Sequence, residues 1–217
     1  MDYYNIEAFD ATGLVKTVFT SKGHGCWLSN SEEGHRGYRE VLSHLGLTER
    51  DIVSTFQRHT DIVRPVTHAD AGMNTFWRSD PVEPADGIIT NERGLLLTSM
   101  ESDCTPVYLL DPVNKAVGMV HSGWKGTASL IAVKAVEKMR QEYGTEPENV
   151  MAAFGPCICR RCYEVGGELM EPFRVNYSQS DITRLFLPKP NGKYTLDVNL
   201  AIRLSLERCG VHPDRIY

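Results

Sequence analysis

Two apolar stretches, Val107 to Leu110 and Ala116 to Val120, flank the turn Asp111-Pro112-Val113-Asn114, and nothing else in the 217-residue chain constrains its fold as strongly. Short apolar runs bounded by turn residues read as strands. The first follows Ser102-Asp103-Cys104-Thr105-Pro106, and the second runs directly into His121-Ser122-Gly123-Trp124-Lys125-Gly126-Thr127. A thiol and an imidazole therefore stand at strand ends. That is the arrangement of a metal site or of a nucleophile with its base.

The rest of the pattern mixes strands with helices. Leu14 to Thr20 is rich in β-branched residues and reads as a strand. Asn30 and Glu33 have capping-box spacing. The helix they introduce puts Tyr38, Val41, Leu42 and Leu45 on one face and stops at Gly46. Ile52 to Phe56 and Ile62 to Val66 read as strands around the polar turn Gln57-Arg58-His59-Thr60-Asp61. Residues 67–85 form a loop, long enough to be functional or mobile. Gly87 to Thr90, Leu95 to Ser99 and Val150 to Phe154 are further strands. Helices are predicted over 126–143, 164–175 and 197–209, the last ending at Gly210. With no repeat or heptad, the pattern predicts an α+β fold: one domain over 1–217 with mixed β-sheets flanked by helices.

Composition narrows the function classes. An apolar fraction of 41% and a charged fraction of 24% are ordinary for a globular protein. A net charge of −5 gives no pull toward nucleic acid or an anionic membrane. The first residues lack a basic region followed by an apolar core, and no apolar run approaches the roughly 20 residues of a spanning helix. The expectation is a cytoplasmic protein whose six cysteines are reduced thiols.

Alone, Cys104 reads as a small core hydrophobe and His121 as a histidine at a turn. Their positions at strand ends argue for more. His59, on the turn beside Arg58, completes a His, Cys, His set. Three protein ligands plus an open position is the catalytic zinc arrangement. The amides of Gly123 to Thr127 lead into a helix, where an anion is favoured, and Lys125 adds charge. Cys157, Cys159 and Cys162 form a Cys-x-Cys-x-x-Cys cluster with Arg160 and Arg161 inside it. Its spacing fits pocket-lining or structural roles better than a second metal. His35 and His44 read as solvated, while His24 and His68 sit in loops as possible pocket residues.

Four segments then carry a resemblance: Ala85-Asp86-Gly87-Ile88-Ile89-Thr90, Asp103-Cys104-Thr105-Pro106, His121 to Thr127, and Gly155-Pro156-Cys157-Ile158 through Cys162-Tyr163-Glu164-Val165. Together with Gln57-Arg58-His59, they resemble the laccase-domain family, whose members have been called polyphenol oxidases and are now described as purine nucleoside phosphorylases. The resemblance runs from about residue 50 to Tyr217. It implies a single α+β unit and a metal, usually zinc, on residues matching His59, Cys104 and His121. It also implies phosphorolysis of adenosine, inosine and methylthioadenosine, and deamination of adenosine to inosine. The partners are then purine nucleosides and phosphate, with the oligomeric state left open. The family pattern usually continues past the position of Tyr217 through a Ser-Tyr-Arg-Arg-like motif that nothing here matches. The region from Ser21 to Asn30 also matches the family's Gly-x-Ser poorly.

On this reading zinc would acidify a water for deamination. Asp103 is the nearest carboxylate in sequence and the candidate proton carrier. Arg58, Ser122, Gly123 and Lys125 are the candidate substrate contacts, with phosphate on the amides after His121. Three rivals remain: a thiol hydrolase or deamidase with Cys104 as nucleophile and His121 as base, a copper-dependent phenol oxidase on the same ligands, and a non-catalytic small-molecule binding protein.

Overall fold

The computed structural model describes residues 4–21, 32–72 and 83–217, without the side chains of 32–35, 37 and 38. In chain order the elements are α1 (Glu7–Asp10), α2 (Glu32–Leu45), β1 (Ile52–Ser54), β2 (Val63–Pro65), β3 (Gly87–Thr90), β4 (Leu96–Thr98), β5 (Thr105–Asp111) and β6 (Ala116–Ser122). They continue with α3 (Trp124–Ala128), α4 (Ile131–Tyr143), β7 (Met151–Phe154), β8 (Glu164–Val165), α5 (Met170–Arg174), α6 (Gln179–Leu185), β9 (Phe186–Pro188), β10 (Tyr194–Leu196) and α7 (Val198–Cys209). The fold is α+β with mixed sheets, as the sequence predicts.

The main sheet has the order β2-β3-β6-β5-β7, with β2–β3 parallel and the other pairs antiparallel. Its centre is the β5–β6 hairpin, paired from Asp111↔Ala116 at the turn to Thr105↔Ser122 at the open end. Side chains alternate along a strand. Val107, Leu109 and Val120 accordingly share a buried cluster with Ile131, Ala135 and Met139 of α4 and Ile202 and Leu206 of α7. Leu110 packs with Phe9 and Met151, and Met119 with Val53 and Ile88, in separate clusters. Apolar layers on both sides explain why β5 and β6 read as continuous apolar runs. β1 and β4 form a separate parallel pair, and β8-β10-β9 a small antiparallel sheet.

Several expectations are corrected. Leu14 to Thr20 is not a strand: only Phe19 pairs, in an isolated bridge to Tyr4. The Thr17 amide donates to Asp10 Oδ1 at 2.9 Å and the Thr17 hydroxyl accepts from the Ile6 amide at 2.7 Å. These side-chain bonds replace a ladder. The two strands expected around the 57–61 turn are present, shorter, as β1 and β2, and they join different sheets. The single helix expected over 126–143 is broken into α3 and α4 by Leu130, whose left-handed φ of 62° ends one helix before the other begins. Packing of Leu130 against the main core offsets that strain. The helix expected over 164–175 survives only as α5. Gly166-Gly167 disfavours helix, and Glu164 and Val165 pair with β10 instead. Asn30 of the expected capping box and His24 lie outside the described residues.

Candidate metal centre

The site forms at the open end of the β5–β6 hairpin. The register places Pro106 opposite His121 and Thr105 opposite Ser122, so the next pair outward is Cys104 and Gly123. A Cβ on Gly123 would sit 2.9 Å from Cys104 Sγ and 3.0 Å from His59 Cδ2. Only a residue without a side chain lets thiol and imidazole close over it.

His59 arrives from the 57–61 turn, far from the hairpin in sequence, and two devices hold it. Gln57 Nε2 donates to Met100 O at 2.7 Å, and its Oε1 accepts from Met100 N at 3.0 Å, pinning the turn beside the segment that leads to Cys104. Asp86, fully buried just before β3, accepts from the amides of Arg58, His59 and Thr60 at 3.2, 3.0 and 2.7 Å. It also accepts from the Thr60 hydroxyl at 2.6 Å. This grip holds His59 at a φ of 57°, a left-handed conformation uncommon outside glycine.

The same carboxylate accepts from His121 Nδ1 at 2.8 Å. An ionised Asp86 has only lone pairs to offer, so Nδ1 carries the proton and Nε2 is the nitrogen left for the centre. Burial opposes ionisation of Asp86, but the hydrogen bonds from His121, Thr60 and the turn amides hold its carboxyl well below the usual range.

The ligand atoms of His59, Cys104 and His121 all lie within 4.8 Å of one another. His59 Nε2 is 3.9 Å from Cys104 Sγ, and the two rings meet edge to face with centroids 5.0 Å apart. Sulfur and nitrogen ligands at usual zinc bond lengths, set tetrahedrally, stand about 3.6 Å apart. The observed spacing therefore suits a cation of that size. Burial works against charge on His121, yet Asp86, Cys104 and Glu101 together push its pKa up to about 10. The corner attracts positive charge, so a proton on His121 and a cation compete for it.

Glu101 was missed by the sequence reading. Its side chain is 2% exposed, and Oε2 lies 3.9 Å from His121 Nε2 with no hydrogen-bond partner. Oε1 accepts from the Ser99 hydroxyl at 2.7 Å. Burial pushes its pKa up to about 7. Asp103, by contrast, has an exposed side chain, and its carbonyl accepts from the Ile158 amide at 3.0 Å. Ser122 is fully buried, its hydroxyl 2.8 Å from that of Thr127. Arg58 and Lys125 are exposed, beside the rings of Phe56 and Trp124 respectively. The 57–61 turn and α3 meet, since Thr60 O lies 3.3 Å from where a Cβ on Gly126 would be. His68 and His44 are exposed, and His68 Nε2 is 2.9 Å from Arg93 O.

Comparison with known proteins relates the chain to one family. Residues 13–217 match the family model described as multi-copper polyphenol oxidoreductase laccase. The purine nucleoside phosphorylase YlmD of Bacillus subtilis is 29% identical over 205 residues, covering 94% of this chain and 73% of that protein. An adenosine deaminase from an unknown prokaryotic organism is 30% identical over 168 residues, covering 77% of this chain and 63% of its own length. The crystal structure of the hypothetical protein YfiH of Bacillus licheniformis superposes with a TM-score of 0.89 at 28% identity, covering 99% of this chain and 84% of that one.

Proposed function

The chain belongs to the multi-copper polyphenol oxidoreductase laccase family, and from that membership we propose that it is a zinc-dependent purine nucleoside phosphorylase that also deaminates adenosine. One observation carries the reading: the ligand atoms of His59, Cys104 and His121 converge within 4.8 Å. Those residues would hold the cation, with Cys104 as thiolate. When bound, the cation supplies Lewis acidity and acidifies water beside it.

The remaining roles belong to the chain itself. Asp86 keeps His121 in the tautomer that presents Nε2 and fixes the His59 turn. Glu101 carries the proton exchanged with substrate, because its free oxygen is buried and aimed at the centre. Asp103 was the sequence's candidate for that role and is the control for it. Arg58, on the 57–61 turn, and Lys125, on α3 where it packs against that turn, balance phosphate. Gly123 supplies the space in which the ligands close. The multi-copper name calls for several ligand clusters. Among the described residues, the His/Cys/Asp/Glu group spaced to hold an ion is this one. The thiol-hydrolase reading draws on the contact between Cys104 and His121, and it makes His59 dispensable.

The test is an assay of adenosine with phosphate, following ribose 1-phosphate and free adenine, and inosine without phosphate. Both product sets from metal-loaded protein, lost on chelation and restored by zinc, are expected. A metal-loaded sample that releases neither ends the proposal. Activity that survives both chelation and His59→Ala favours the thiol hydrolase.

A further inference from the structure

A second pair of sulfurs lies outside the metal corner. Cys159-Arg160-Arg161-Cys162 forms a turn closed by the Cys162 amide donating to Cys159 O at 2.9 Å. Both thiols are exposed, and they share a hydrogen bond with sulfurs 3.4 Å apart. Cys157 is turned elsewhere, half-buried and 3.4 Å from the Asn199 side chain. Among the described residues, no third metal-ligating side chain joins the pair. Two thiolates alone make a poor metal site, whereas two thiols three residues apart on a tight turn suit disulfide chemistry.

We infer that Cys159 and Cys162 are a redox-active dithiol that closes to a disulfide by exchange with a low-molecular-weight disulfide. The sulfurs need approach by only about 1.4 Å to reach bonding distance, which side-chain rotation on an exposed turn supplies. The Cys159 thiolate attacks the small disulfide, forming a mixed disulfide and releasing one thiolate. Cys162 then gives its proton to water and attacks the Cys159 sulfur, and the second small thiolate leaves. The protein dithiol loses two electrons, and the small disulfide gains them as two thiols. Cys159 is the attacking sulfur. Hydrogen bonds from the Cys162 thiol and from the Cys162 and Arg161 amides, with the Arg161 charge, lower its pKa, while its own proximity raises that of Cys162.

Trypsin cleaves after Arg160 and Arg161 and so separates the two cysteines onto different peptides. The metal-loaded full chain is equilibrated with glutathione buffers of increasing oxidised fraction, quenched in acid, alkylated and digested. The expected result is a Cys159–Cys162 linked peptide pair that splits on reduction. In Cys162→Ser, a stable glutathione adduct on Cys159 should replace it. In Cys159→Ser the linked pair should be absent, and in the reduced wild-type protein Cys159 should alkylate ahead of Cys162. Wild-type peptides that stay unlinked across the whole buffer range overturn the inference. So does a linked pair that persists in Cys159→Ser, or a Cys162→Ser protein that traps no adduct.

Discussion

Cys104 and the Cys159–Cys162 pair carry one functional group in two opposed settings. Cys104 stands between two imidazoles, with the buried carboxyl of Asp86 on His121 Nδ1 and that of Glu101 3.9 Å from His121 Nε2. The pair sits on an exposed turn with its own amides and Arg161 for company. Surroundings rather than the sulfur decide the chemistry. Added nitrogen ligands and buried negative charge make a cation site, while exposure and a neighbouring thiol make an exchange site. The first setting is assembled from three distant parts of the chain, and the second from four consecutive residues.

The difference can be broken most severely at His121. His121→Ala should lower metal affinity by more than the roughly 100-fold that follows loss of an outer hydrogen-bond partner. Metal analysis after dialysis reads this, with retained stoichiometric metal as the contrary outcome. Next, Glu101→Gln should leave metal content unchanged and lower kcat by about 10² to 10⁴, the range of a lost acid–base group. Asp103→Asn should not match it. Equal losses in the two variants would return the role to Asp103.

Asp86→Asn sharpens the contrast from the outside. It keeps the shape of the side chain but removes the charge that orients His121, and metal affinity should fall about 10- to 100-fold. Chelator competition measures the change. The pH dependence is smaller per step. In metal-free protein the His121 pKa is raised to about 10. The stability its proton confers is fully present below the unfolded-state value of about 6.5 and is lost as pH rises through about 10. A cation displaces that proton, so affinity should climb by up to about tenfold per pH unit from about pH 7 to pH 9. A flat profile would contradict the charge assigned to His121. Least of all, Cys159→Ser and Cys162→Ser should leave metal content at the wild-type level, as a separate sulfur site requires.

The sequence made the hairpin legible because both faces of β5 and β6 are covered, so apolar runs and the Asp111 turn stand out. Residue type, with a strand-end position for Cys104 and His121 and a turn for His59, brought out the three candidate ligands, because ligand chemistry is local to each side chain. Asp86 was visible only inside a family motif. A carboxylate directly before the wholly buried strand Gly87–Thr90 was a signal that it must be paired within the protein. Glu101 carried no such signal, because in a run of polar residues nothing distinguishes the carboxyl that turns inward from Asp103, which stays in solvent. The break at Leu130 was hidden as well. Leucine favours helix locally, and tertiary packing overrides that preference.

The most direct test of the central claim is anomalous diffraction at the zinc edge from crystals of the zinc-loaded protein. One peak is predicted, about 2.0 to 2.3 Å from His59 Nε2, Cys104 Sγ and His121 Nε2. A zinc peak elsewhere, or one that leaves any of these three atoms beyond bonding distance, would contradict the account.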